Sequence, residues 1–127
     1  MNIVLDTNAY SELVKGSARV AQAMSRAARV VVPFIVLAEL RAGFAVGSKR
    51  ALNEKQLDVF LAKPGVEVMH TNDDTVLVYA AIYAQFRKSG RMIPTNDIWI
   101  AALAMQHHLV LCSDDAHFDH LPQILRA

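Results

Sequence analysis

Four acidic residues stand where an α/β protein places its chemistry. Asp6 ends the apolar run Asn2-Ile3-Val4-Leu5, and Glu39 interrupts Val36-Leu37-Ala38-Glu39-Leu40. Asp97 opens the stretch Ile98-Trp99-Ile100-Ala101-Ala102-Leu103-Ala104, and Asp115 follows Leu109-Val110-Leu111-Cys112. In open α/β sheets, ligands bind beyond the carboxyl ends of the strands, which is where Asp6 and Asp115 fall. Four carboxylates gathered at one edge would repel strongly, each like pair at about 4 Å costing roughly 4 kcal/mol at an effective dielectric near 20. Raised pKa values or a bound cation relieve that repulsion. A hard divalent ion with oxygen ligands is the simpler remedy.

The neighbours of these acids are suited to support them. Thr7 and Asn8 follow Asp6 with short hydrogen-bonding groups that can orient a carboxylate or a water, although Asp and Asn are also ordinary turn residues. Ser113-Asp114-Asp115 repeats the pattern at another strand end. Glu39 shares a predicted helix face with Ile35, Val36, Ala42 and Gly43, so it is expected to face the protein body, where a carboxylate needs a partner or a ligand. Asp97 falls in the first turn of a predicted helix, a common place for an acid that complements the macrodipole. Thr95 and Asn96 are available to cap that helix instead.

The elements that must position these residues alternate along the chain. Residues 2–5 read as a buried parallel strand, followed by helices over 9–15 and 18–28 broken at Gly16-Ser17. Val30 to Val32 is the next strand, and Pro33 starts a helix that carries Glu39 to about Val46. A helix over 49–62 ends before Pro64-Gly65, and Val66 to Met69 is a third strand. Residues 73–89 form a long helix with Val76, Ala80 and Tyr83 on one side and Val78, Ile82 and Phe86 on a second. A helix over 97–107 and a strand over 109–112 follow, with 121–125 as a short last strand. Alternation without hairpin signals predicts one α/β domain over 1–127, with a parallel sheet of four to five strands covered by helices on both faces.

Composition narrows the class. The 127 residues are 54% hydrophobic and 20% charged, an ordinary globular balance. No apolar run is long enough to span a bilayer, and the start lacks a secretory pattern. The single cysteine, Cys112, excludes an intrachain disulfide and fits a cytosolic protein with a buried strand thiol. The thirteen Lys and Arg face twelve acids, so setting aside the four candidates leaves the remainder at +5. A basic exterior around an acidic pit suits a polyanionic substrate. The histidines at 107, 108, 117 and 120 read as structural rather than as a zinc site, and Trp99, Met105, Tyr79 and Tyr83 as core or oligomer surface. The apolar surplus on helices 73–89 and 97–107 predicts a homodimer.

Taken together, Ile3-Val4-Leu5-Asp6-Thr7-Asn8, Leu37-Ala38-Glu39-Leu40-Arg41-Ala42-Gly43, Pro94 to Ala102 and Ser113-Asp114-Asp115-Ala116-His117-Phe118-Asp119 closely resemble PIN-domain proteins, nearest to the VapC-type toxins of bacterial toxin–antitoxin pairs. The resemblance spans essentially the whole chain, in order. It implies a Mg2+- or Mn2+-dependent endoribonuclease with Asp6, Glu39, Asp97 and Asp115 as its catalytic quartet. Within that quartet Asp6 and Asp97 would ligate the ion most directly, and Thr7, Asn8 and Ser113 would orient ligands or touch the phosphate. Asp115 is preferred to Asp114 because the family's acid lies two residues after the Ser/Thr. The resemblance also implies an RNA substrate, a homodimer and a cognate antitoxin that occupies the groove. One departure stands out: many PIN domains carry a further acid where this chain has His117. A haloacid-type phosphatase is disfavoured because the position two after Asp6 is Asn8, and a receiver domain because its third strand ends in Met69-His70-Thr71. The remaining alternative is a PIN-like RNA- or protein-binding module with weak or no nuclease activity.

Overall fold

The computed structural model describes residues 1–127. Strands β1 (Asn2–Leu5), β2 (Arg29–Pro33), β3 (Val66–Met69) and β4 (Val110–Cys112) form one sheet in the order β3-β2-β1-β4. All three pairings are parallel. Helices α1 (Thr7–Val14) and α2 (Ala18–Ser25) connect β1 to β2, and α3 (Phe34–Val46) and α4 (Arg50–Leu61) connect β2 to β3. Helices α5 (Asp73–Ser89) and α6 (Thr95–Gln106) carry the chain back to β4, followed by a 3₁₀ turn, Ala116–His120.

Consecutive residues Ile3, Val4 and Leu5 are all fully buried, as a strand covered on both faces requires. From β1 the chain steps outward through β2 to β3, then reverses past β1 to β4. Right-handed crossovers therefore put α1–α4 on one face and α5–α6 on the other. The reversal leaves a crevice between β1 and β4, because the connections leaving these two strands diverge to opposite faces. A single cluster of 29 buried apolar residues fills the interior.

Several expectations shift by a turn or less. Helix α1 starts at Thr7, two residues early, because Asp6 caps it by accepting from the Ala9 amide at 2.7 Å. Helix α2 stops at Ser25, and α6 starts at Thr95 behind Pro94. Asp97 is thus the third residue of α6 and no side chain caps that helix. Residues 121–125 are not a strand. Pro122 has no N–H to give, and the chain turns so that the Ile124 amide meets the Leu121 carbonyl at 3.1 Å. One parallel bridge, Leu111 to Arg126, is all that extends the sheet there.

The long helix presents the opposite face from the first one expected. Thr75, Ile82 and Phe86 are buried, whereas Val76, Ala80 and Tyr83 are exposed. The winning stripe spans three turns and ends in a large aromatic side chain, so it removes more apolar area from water. Its polar member Thr75 is satisfied by a capping box with Asn72.

Candidate active site

The four acids converge. Asp6, Glu39, Asp97 and Asp115 line one cleft of about 260 Å³ at the carboxyl edge of the sheet, together with Thr7, Asn8, Pro94, Asn96 and His117. Pro94 is the least polar group in that lining. Asp6 comes from the end of β1, Asp115 from the loop after β4, Asp97 from the first turn of α6 and Glu39 from the middle of α3. The crevice between β1 and β4 thus receives side chains from both layers of helices.

Asp6 is the innermost, only 4% exposed. One carboxylate oxygen accepts from the Ala9 amide, and the other accepts the Ser113 hydroxyl. Burial pushes its pKa above the ordinary aspartate value, and Asp115 and Asp97 add to that. The Ser113 and Ala9 donors pull the other way. Ser113, itself buried, does not line the cleft but stands behind Asp6, and its oxygen also accepts from the Asp115 amide at 3.0 Å. One hydroxyl thus links the ends of β1 and β4.

Glu39 is half-buried, and its Oε1 accepts the Thr7 hydroxyl at 2.9 Å. The apolar stripe expected around it is interrupted. Val36 is buried, but Ala42 and Gly43 are exposed, so Glu39 lies at the border of the cleft and not on a continuous buried stripe. Asn8 is exposed at the mouth.

The opposite wall is organised around His117. Its ring Nδ1 lies 2.7 Å from Asp97 Oδ2 and 3.2 Å from Asp115 Oδ1, while its backbone N–H donates to Asp115 Oδ1 at 2.9 Å. One donor atom from each of Asp97, Asp115 and His117 lies within 4.8 Å of the others, close enough to share one ion. Burial raises the pKa of Asp97, the hydrogen bond from His117 opposes this, and Asp115 and Glu39 reinforce it. Asp6 lines the same cleft but stands outside this tight trio, with both oxygens already engaged.

Three residues escaped the sequence reading as contributors. His117 was grouped with structural histidines, although its replacement of an acid was the available signal. Asn96 offers an amide to the cleft from α6. Arg126 fixes the loop from behind: its Nη2 donates to the carbonyls of Ser113 (2.7 Å) and Asp115 (3.1 Å), and its Nη1 to Asp119 at 2.6 Å. The remaining histidines stay clear of the cleft, His120 resting against Arg91. Cys112 is buried and free, and burial raises its thiol pKa, as befits an inert strand residue.

The comparisons with known proteins agree with one another. The family model described as PIN domain matches residues 3–124. Ribonuclease VapC1 of Haemophilus influenzae strain R2866 is 34% identical over 116 residues, covering 87% of this chain and 84% of that protein. Ribonuclease VapC5 of Mycobacterium tuberculosis is 29% identical over 90 residues, covering 71% and 67%. Among solved structures, VapBC-1 from nontypeable Haemophilus influenzae superposes with a TM-score of 0.88 at 26% identity, covering all of this chain and 97% of the other.

Proposed function

The chain belongs to the PIN-domain family, and from that premise we propose that it is a divalent-metal-dependent endoribonuclease, the VapC-type toxin of a toxin–antitoxin pair. The observation that carries the reading is the meeting of four carboxylates from four separate segments in one polar cleft at the β1/β4 crevice. Nothing in the apolar core explains that arrangement, and a bound cation relieves the repulsion of like charges brought together.

Asp97 and Asp115 would hold the ion with Asp6 and Glu39 around it, directly or through water. The donor set is mostly carboxylate oxygen, which fits Mg2+ or Mn2+. When bound, such an ion would supply polarisation of the scissile phosphate and a water of lowered pKa as nucleophile. The side chains do the rest. Ser113 and the Ala9 amide hold Asp6 in one orientation, and Thr7 does the same for Glu39. Asn8 and Asn96 offer neutral amide donors to a non-bridging phosphate oxygen, where another carboxylate would repel it.

The whole of 1–127 acts as one nuclease domain in this reading, with RNA as substrate. The relatives' VapC names and the similarity to VapBC-1 support an antitoxin partner. A groove lined by Tyr10, Val14, Leu40 and Phe44, one turn along α1 and α3 from Thr7 and Glu39, would take an apolar segment of that partner. No helix is long and apolar enough to cross a membrane, which fits action in the cytoplasm. The apolar residues Val76, Leu77 and Tyr83, all exposed on α5, are the surface for a homodimer.

The direct test is cleavage of a long RNA by purified protein with Mg2+ or Mn2+ and with a chelator, alongside mapping of cut sites after induction in cells. Metal-dependent cleavage lost in Asp6→Asn supports the reading. Failure of the wild type to cut RNA under any metal condition, with normal RNA binding, would favour a binding module instead.

A further inference from the structure

The cation site proposed above differs from an all-oxygen site in one respect. His117 puts an imidazole nitrogen between the Asp97 and Asp115 carboxylates on one wall of the cleft. An octahedral ion with bonds of about 2.1 Å holds adjacent donor atoms about 3 Å apart. The Nδ1 distances of 2.7 Å to Asp97 and 3.2 Å to Asp115 straddle that spacing. The backbone that carries the ring is also held in place. The His117 amide is tied to Asp115 Oδ1, and the carbonyls of Ser113 and Asp115 are held by Arg126. The histidine side chain is 44% exposed, so its neighbourhood leaves room for waters to complete a coordination shell.

We propose that His117 is an inner-sphere nitrogen ligand of the bound ion, and that it shifts this site's preference from Mg2+ to Mn2+. Mg2+ takes oxygen ligands almost exclusively, and an imidazole nitrogen favours a first-row transition ion over it; within that series Mn2+ is the one that the surrounding carboxylates also suit. The ligand atoms would be Nδ1 of His117 with one oxygen each from Asp97 and Asp115. The inference rests on the metal-site reading of the cleft, and it makes a separate claim about which ion the site selects and through which atom.

The test uses the full chain, freed of metal and titrated with Mn2+ alone. Electron spin-echo modulation of the Mn2+-bound protein reads nitrogen coordination without reference to activity. Wild type should show a ¹⁴N coupling that changes to the ¹⁵N pattern when histidine is supplied ¹⁵N-labelled, and His117→Asp should abolish it. Calorimetric titration should give Mn2+ bound about tenfold or more tightly than Mg2+ in wild type, with the ratio falling toward unity in His117→Asp. His117→Gln, which keeps a similar size without a ligating nitrogen, should also lose the coupling. Mn2+ bound in an Asp97-dependent way without nitrogen coupling in wild type would overturn the role of His117 and leave the nuclease reading standing. Mn2+ binding that is absent, or indifferent to Asp97→Asn, would overturn both.

Discussion

On the β1–α3 wall of the cleft, carboxylates are held by neutral donors: Asp6 by an amide and the Ser113 hydroxyl, Glu39 by the Thr7 hydroxyl. On the opposite wall, Asp97 and Asp115 share an imidazole. Neutral donors fix a carboxylate without cancelling its charge. The second wall holds a group that can stand in for a cation or ligate one. A buried anion and two partly buried ones have been given partners to match: Asp6 is nearly inaccessible with both oxygens hydrogen-bonded, whereas the Asp97 and Asp115 side chains remain 17% and 24% exposed, open to an incoming ion.

The comparison breaks most sharply if one wall proves dispensable. Asp6→Asn and Asp97→Asn should each lower metal-dependent cleavage by about a thousandfold, with the circular dichroism spectrum unchanged. Cleavage that survives in either variant would mean that only the other wall carries the chemistry.

A smaller effect should separate orientation from ligation. Ser113→Ala and Thr7→Val leave every carboxylate in place and remove one hydroxyl donor each, so cleavage should fall about 10- to 100-fold. Ser113→Ala should be the more severe because its oxygen also accepts the Asp115 amide. Metal affinity measured by calorimetry should fall in the same order.

Smaller again is the loss of the loop's backing. Arg126→Ala removes donors to two backbone carbonyls and to Asp119, and should destabilise the protein by about 1–2 kcal/mol in urea melts. Its cleavage defect should be milder than that of Ser113→Ala and should fall on the Asp115–His117 wall, seen as weaker ion binding.

The last effect is on stability and its dependence on pH. Asp6 and Asp97 both have pKa values raised above 3.8, chiefly by burial. Their protonated forms are therefore favoured by folding. That stabilisation is fully present below about pH 3.8 and is lost as pH rises through the raised folded values. In chelator these two groups should depress the melting temperature at neutral pH, and Mn2+ or Mg2+ should restore it. Asp6→Asn should melt higher than wild type in chelator and gain less from metal. An Asp6→Asn variant less stable than wild type in chelator would show that the hydrogen bonds of Asp6 outweigh the cost of burying its charge.

How much of this was legible in the sequence depends on how local each signal is. Asp6 and Asp115 were visible because a charged residue ending a short apolar run marks a strand end, and the parallel sheet fixes what lies there. Glu39 was visible as a lone acid in an apolar helix, but the course of α3 was not, and the stripe expected to bury it is half solvated. His117 was not legible as a site residue from local pattern, because Asp97 lies 20 positions away and only α6 packing brings it close. Arg126 was hidden for a different reason: it binds backbone carbonyls, which look the same at every position. The face chosen by α5 was undetermined because its sequence carries two apolar stripes.

The hydrogen bond between Ser113 and Asp6 joins residues 107 positions apart. The central strand β1 is made about a hundred residues before its neighbour β4, so the cleft cannot close until β4 and the loop after it have left the ribosome. Synthesis proceeds at about 5–20 residues per second, and throughout it the growing chain carries Asp6 and Glu39 without the wall that completes them. A fragment ending before Ser113 lacks Asp115 and His117 altogether. On the proposed function, activity is thereby confined to chains in which both walls are present: translation that stalls or aborts before Ser113 leaves the site unfinished.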